Sequence, residues 1–238
     1  MRLTPGGMSE SDEFCGGLVG QRDRDRYLAT LYAPSAIRAA MHAVNAFDIE
    51  LMQVVRTTTE PMLGEIRLAW WRERLQSIAS DAPVPGQPVI RSLAAHVIPR
   101  RLAPVDLEPL EDAALALFDD DIARHVALRG DTLFDALLRL VVIQPSDELR
   151  AAACQAGRLW AATELVRSGR DDVRRLAESL AAETPASSPA GPSRPVFALA
   201  ALARRDLKRP RRPGQPDGPA APPGRQLRIL WSILRGHS

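Results

Sequence analysis

"PSAIRAAMHAVNAFDIELMQVV", residues 34–55, carries large apolar residues at steps of three and four along the chain. They are Ile37, Met41, Val44, Phe47, Leu51 and Val54. This spacing places them on one face of an α-helix and predicts a long helix with one buried stripe, with Pro34 suited to its first turn. Asp48 and Glu50 lie inside the same segment, which makes it the first candidate for a functional site.

Helical spacing continues through nearly every segment before the last quarter of the chain, without the alternation expected of β-strands. The predicted helices span residues 18–32, 34–55, 60–80, 89–97, 107–128, 132–144 and 147–169. In the third helix, Leu63, Ile66 and Trp70 are expected on the buried side. Gly130 is predicted to end one helix and Asp131 to cap the next. The sequence therefore predicts an all-α single-domain helical bundle.

The composition is typical of a globular protein with one core. Apolar residues make up 45% of the 238 residues, charged residues 25% and aromatic residues 5%, so Leu, Ala, Val and Ile must build most of that core. Cys15 and Cys154 have no Cys or His partner nearby, which excludes a zinc spacing and a disulfide framework and predicts a reducing, cytoplasmic location. Because no run reaches about 18 apolar residues, no membrane-spanning helix is expected.

Composition also divides the chain into three parts. They are a disordered lead at residues 1–14, the helical domain at 15–183 and a Pro/Arg-rich tail at 184–238. From residue 185 onward ten basic residues stand against two acidic ones, although the whole chain has a net charge of +2. This tail is either a solubilising segment or a contact for an anionic membrane surface. Two amphipathic segments within it, 194–212 and 225–238, are expected to dock on the body, to lie on a membrane or to be unstructured, with docking favoured.

Two stretches resemble the squalene/phytoene synthase family. "RDRYLATLYAPSAIRAAMHAVNAFDIEL", residues 24–51, is similar to the opening of that family, and the pair Trp71–Arg72 follows one helix later. "AGRLWAATELVR", residues 156–167, resembles the helix that carries the family's second aspartate-rich motif. The resemblance implies an isoprenoid-synthase bundle that condenses two prenyl diphosphates head to head, with magnesium bridging the diphosphate to carboxylates. It is closest to a divergent branch that resembles the mitochondrial complex I assembly factor and lacks the aspartates.

The positions of the family's two aspartate-rich motifs carry almost no acids in this chain. The resemblance places the first motif on residues 52–56, "MQVVR", and the second on Ala161, Glu164, Arg167 and Ser168. It therefore implies no catalytic residue and no metal ligand there. The residues expected to line the pocket are Asp48, Met52, Gln53, Arg56, Trp71, Ala161, Glu164 and Arg167.

Asp48 and Glu50 are not expected to chelate one ion. Two residues apart on a helix, they stand about 200° apart around its axis. We expect Asp48 to meet Glu164 across the pocket instead, in a structural ion-pair network with Arg56 or Arg167.

Two further pairs have the i, i+4 spacing of metal ligands on one helix face. They are Asp131 with Asp135 and Asp121 with His125. Asp131 is also placed to cap a helix, Asp135 to face solvent, and Asp121 to form a surface ion pair with His125. These structural roles are the expected ones.

The first hypothesis for function is a non-catalytic member of the family that acts as a lipid- or partner-binding assembly factor. An apolar cleft without its carboxylates still favours an isoprenoid-like chain or another lipid by burial, and needs no cofactor. The alternative is an active prenyltransferase that uses magnesium and unusual acids. A third hypothesis, compatible with the first, is a peripheral membrane adaptor whose basic tail binds anionic lipid. Nucleic acid is not an expected partner, because the Arg-rich tail lacks interleaved aromatic residues.

Overall fold

The computed structural model describes residues 9–79, 86–98, 101–185, 189 and 191–208. Within these ranges the fold is all-α, with ten α-helices, three single 3₁₀ turns and no β-strand. The helices are α1 (Glu10–Arg22), α2 (Arg24–Leu31), α3 (Ser35–Thr57), α4 (Pro61–Gln76), α5 (Pro88–His96), α6 (Pro109–Phe118), α7 (Ile122–Val141), α8 (Asp147–Arg167), α9 (Arg174–Glu183) and α10 (Arg194–Leu207). None of these helices is long and apolar enough to cross a bilayer.

Helix α3 lies at the centre of the bundle. It contacts six other helices, α1, α2 and α4 to α7, and every residue from Ala40 to Ile49 is buried. The predicted apolar stripe is confirmed from Met41 to Val54, whereas Ile37 in the first turn is only partly buried. Because α3 is surrounded, Asp48 is also buried, and its charge must find partners in the core.

Helices α7 and α8 form the closest helix pair, and two glycines face each other where they cross. A Cβ on Gly130 would lie 2.4 Å from the backbone nitrogen of Arg158, and a Cβ on Gly157 would lie 2.1 Å from the carbonyl oxygen of Gly130. The prediction that Gly130 ends a helix is therefore wrong: it lies inside α7, where its missing side chain allows close packing rather than a turn. The break falls earlier, between α6 and α7, where Asp120 has a φ of 54°.

The amino-terminal part is more ordered than the sequence suggested. Helix α1 begins at Glu10, because Ser9 and Asp12 form a reciprocal capping box, so the predicted disordered lead is wrong for residues 9–14. Residues 1–8 lie outside the described ranges. Asp12 also accepts a hydrogen bond from the Ser92 hydroxyl at 2.8 Å, which ties α1 to α5. The helix predicted over 18–32 is divided at Asp23, which caps α2.

Helix α10 extends the body past the predicted boundary at residue 183. It packs on α8 and α2, and its apolar residues, including Phe197 and Leu199, are buried. Arg204 donates a hydrogen bond to the carbonyl oxygen of Ala181 at 2.7 Å and another to that of Thr184, which holds the turn after α9. Docking of the first amphipathic segment is thus confirmed over 194–207, while the second, 225–238, lies outside the described residues.

Helix α4 buries a different face from the predicted one. Its buried residues are Gly64, Leu68, Trp71 and Leu75, which also recur at steps of three and four. Gly64 allows this packing, since a Cβ there would lie 2.2 Å from the Phe118 ring. The side predicted to be buried is instead solvent-exposed; it carries Leu63, Ile66 and Trp70.

Candidate functional site

Asp48 is the centre of a buried charge cluster. It is 2% exposed, and both of its carboxylate oxygens accept hydrogen bonds from arginines. Arg129 of α7 donates from Nε to Oδ1 at 2.7 Å and from Nη2 to Oδ2 at 2.8 Å. Arg26 of α2 donates from Nη1 to Oδ2 at 2.6 Å. A bidentate arginine and a second cation leave this carboxylate little capacity for a further ligand.

Two more side chains complete the cluster. Asp23 accepts a hydrogen bond from Nε of Arg26 at 2.7 Å, so two arginines are balanced by two carboxylates. Both guanidinium groups lie over the ring of Trp160, Arg26 at 5.2 Å and Arg129 at 4.7 Å from its centroid. Such contacts favour the cations further. The cluster thus joins α2, α3 and α7 through buried charges, and α8 through the ring of Trp160.

The pKa values of Asp48 and Arg26 are shifted toward the charged forms. Burial by itself raises the pKa of Asp48, but Arg129 and Arg26 outweigh it and hold that pKa well below its usual value. Burial likewise lowers the pKa of Arg26, and the carboxylates of Asp23 and Asp48 more than reverse the change. Asp48 therefore stays ionised near neutral pH and is unsuited to exchanging protons as a general acid or base.

Asp48 does form an ion-pair network, but the prediction that Glu164 shares it is wrong and the arginines are different ones. Asp48 is bound by Arg26 and Arg129, not by Arg56 or Arg167. Glu164 instead accepts a hydrogen bond from Arg167 at 2.5 Å. Among the other predicted pocket residues, the buried ones are Met52, Trp71 and Ala161. Gln53 is partly buried and Arg56 is exposed.

Sequence reasoning missed both arginines of the cluster. Arg129 did leave a signal, because on α7 it falls between Val126 and Leu133 at the steps of the buried face, where a charged residue calls for a buried partner. Arg26 left none, since it stands in the alternating run "RDRDR", a pattern that usually marks a solvated surface.

A small pocket lies between α2, α8 and α10, and it holds two of the predicted pocket residues, Glu164 and Arg167. Its other lining residues are Asp23, Asp25, Trp160, Thr163, Leu199, Leu202, Ala203 and Asp206. The enclosed space is about 10 Å³, roughly enough for one water molecule. Side chains of α10 form one wall, so this pocket has no room for a prenyl chain.

The remaining candidate acids are engaged elsewhere. Asp131 does not cap a helix. Its carboxylate accepts hydrogen bonds from Nε of Arg158 at 2.7 Å and from Nη2 of the same side chain at 2.6 Å. Asp135 similarly binds Arg150. The third acid, Asp121, is itself a helix cap and accepts from a backbone N–H of the first turn of α7 at 3.1 Å.

His125 is not a partner of Asp121. It is fully buried, and its Nδ1 donates to the Ala113 carbonyl oxygen at 2.7 Å. Burial, with the charge of Arg129 adding to it, lowers the pKa of His125 to about 4, so the ring is neutral at physiological pH. Across the described ranges, no group of three or more His, Cys, Asp or Glu side chains is arranged to hold a metal ion.

Comparison with known protein families matches residues 19–184 to squalene/phytoene synthase. The chain belongs to the squalene/phytoene synthase family. A solved structure of a dehydrosqualene synthase has the same fold, with a TM-score of 0.72 over 94% of this chain and 95% of that one, at 14% sequence identity. The family match ends before α10, so this helix is recognised through the fold and its packing.

The curated relatives are named as assembly factors, whereas the solved structure is that of a synthase. The chain is 32% identical over 120 residues to a Bos taurus protein named NADH dehydrogenase (ubiquinone) complex I, assembly factor 6, a match that covers 50% of this chain and 36% of that protein. The Homo sapiens protein of the same name is 31% identical over 116 residues, covering 49% and 34%. The matched part is thus about a third of the length of these relatives.

The residues that the sequence resemblance assigns to the family's metal positions do not fit magnesium bound to a diphosphate. Magnesium prefers several oxygen ligands, usually carboxylates together with phosphate oxygens and water. Residues 52–56 offer no carboxylate, and Asp48, one turn earlier, already has both oxygens bound by arginines. Glu164 is the one acid among the residues assigned to the second motif, and it is paired with Arg167. Asp48 and Glu164 are thus both ion-paired with arginines.

Proposed function

We propose that this protein is a non-catalytic member of the squalene/phytoene synthase family that works as an assembly factor. The observation that carries the proposal is the capture of Asp48 by Arg26 and Arg129. The names of the relatives support the assembly role. No cofactor is part of this proposal.

In this proposal, the charge cluster opposes the recovery of catalysis by a small rearrangement. The family's reaction needs carboxylates that hold magnesium against a leaving diphosphate. If Asp48 turned toward a metal ion, two guanidinium groups would remain in the core without their counter-charge, which costs several kcal/mol. The cluster therefore favours a fixed scaffold over a metal site that binds and releases substrate.

The scaffold offers its partners two kinds of contact. An isoprenoid-like or other lipid ligand would bind through apolar surface, and an anionic membrane would bind the basic tail after residue 208. We place this work in the cytoplasm, at or near a membrane surface. The thiols of Cys15 and Cys154 are unpaired, in keeping with a reducing compartment.

The assembly role predicts that loss of the protein reduces the amount of assembled complex, and that substitution of Glu164 does not. Deleting the gene in its own host should reduce the amount of assembled NADH dehydrogenase complex, measured on native gels. The wild-type chain and the Glu164→Gln variant should restore it equally, because Glu164 is a partly exposed, arginine-paired side chain in this proposal. An unchanged amount of complex after deletion, or rescue by wild type but not by Glu164→Gln, would contradict the proposal.

A further inference from the structure

Helix α4 has a second apolar face that nothing in the described residues covers. Met62, Leu63, Ile66 and Trp70 are 72%, 51%, 61% and 42% exposed. At about 100° per residue they share an arc of roughly 100°, on the side of α4 turned away from its buried face. We call these four residues the α4 stripe. Single exposed apolar residues are ordinary, but a contiguous run on one face indicates an interaction surface.

The charges around the α4 stripe favour a basic partner. Glu60 and Glu65 are exposed and have no ion-pair partner among the residues that the structure describes. The neighbouring cations are already engaged. Arg67 donates to two threonine hydroxyls at the end of α3, and Arg74 lies over the Trp70 ring at 5.8 Å from its centroid. Hydroxyl groups do not neutralise Arg67, whereas Arg74 is paired with Glu73 at 3.9 Å. Two carboxylates, Glu60 and Glu65, against the one charge of Arg67 therefore leave a small excess of negative charge beside the stripe.

The chain contains one segment with the matching properties, beyond the described residues. "RQLRILWSILRGHS", residues 225–238, has three arginines and no acid. Its apolar residues Leu227, Leu230, Trp231 and Leu234 follow the i, i+3, i+4, i+7 spacing of one helix face. The intervening residues 209–224 can span up to about 50 Å when extended.

We propose that residues 225–238 bind the α4 stripe of the same chain, apolar face against apolar face, with arginines beside Glu60 and Glu65. Tethering gives the segment an effective concentration near the millimolar range, which favours it over a separate molecule. A second copy of α4 would bring the same acids and meet repulsion. An anionic membrane would meet the carboxylates of Glu60 and Glu65 at the edge of its contact. This inference does not depend on the proposed function, whose membrane contact is left to the arginines of residues 209–212.

The test measures how fast a thiol at the edge of the α4 stripe reacts. Ala69→Cys places a thiol on an exposed position one turn after Ile66, and Ile143→Cys, at a residue 78% exposed beyond α7, gives a control thiol. The native thiols react slowly, because burial raises the pKa of Cys15 to about 12 and that of Cys154 to about 11. Labelling with a charged maleimide is followed in the full chain.

The proposal expects Ala69→Cys to label about tenfold more slowly than Ile143→Cys. Leu230→Asp, on the apolar face of the segment, should restore fast labelling at Ala69→Cys, whereas Ser232→Asp, on its opposite face, should not. Labelling that is fast in the full chain and unchanged by Leu230→Asp overturns the proposal. Protection that appears only at high protein concentration assigns the stripe to a second copy, and protection that needs anionic vesicles assigns it to lipid; either result also overturns it.

Discussion

Replacing Asp48 by asparagine lowers the free energy of unfolding by about 3–5 kcal/mol, the range expected when one partner of a buried ion pair is removed. Asparagine has nearly the same shape, so the loss reports charge rather than a cavity. Arg26 and Arg129 would remain in the core, 3% exposed each, with no carboxylate between them. Because the pKa of Asp48 is depressed, its contribution is complete at pH 7 and is lost only as the pH falls through the folded-state pKa.

Urea unfolding at pH 7 measures this loss, and the chain offers a matched control. Asp135 pairs with Arg150 at 2.7 Å, as close as the buried contacts, but the arginine side chain is 47% exposed. Asp135→Asn should therefore cost about 0–1 kcal/mol, since solvent screens the pair. Equal losses of unfolding free energy for Asp48→Asn and Asp135→Asn would show that the buried ion pairs stabilise the fold no more than an exposed one.

Gly157→Ala should destabilise the protein by about 3 kcal/mol, at the upper end of the range for overpacked cores. The added methyl group would lie 2.1 Å from the Gly130 carbonyl oxygen and 2.9 Å from the Phe134 ring. The first contact is with backbone, so α7 and α8 must move apart. Their separation also disturbs the charge cluster, because Arg129 is the neighbour of Gly130.

The control for this substitution is Gly17→Ala in α1, where an added Cβ meets nothing within 4 Å. Alanine has the higher helix propensity, so Gly17→Ala should stabilise the protein by up to about 1 kcal/mol. Thermal or urea unfolding compares the two variants directly. Effects of the same sign and size at both positions would mean that the contact between Gly130 and Gly157 is not what holds these helices close.

Local pattern predicted the helices, but not which helix face is buried when two faces compete. On α3 a single apolar stripe was available, and its burial from Met41 to Val54 matched the sequence prediction. On α4 two apolar faces share the same spacing, and the one with Gly64 is buried because only it fits against Phe118. That choice depends on a residue more than fifty positions away, which periodicity cannot represent.

The same limit applies to the candidate site. The absence of aspartates from residues 52–56, where the resemblance places the family's first motif, is visible in the sequence itself. The ion pair between Asp48 and Arg129 is not visible in the sequence, because the two residues are 81 positions apart and meet only through the packing of α3 on α7. Gly130 shows the same dependence, since a glycine used for helix contact and a glycine that ends a helix look alike until the neighbouring helix is known.

We expect that this fold, with Asp48 and Glu164 bound by arginines, does not support magnesium-dependent release of diphosphate. The direct measurement incubates the purified full chain with farnesyl or geranylgeranyl diphosphate and magnesium, beside an active squalene/phytoene synthase as positive control. The account predicts release at the level of the protein-free blank at every magnesium concentration. Release that rises with magnesium and with protein, and that falls in the Glu164→Gln variant, would contradict it.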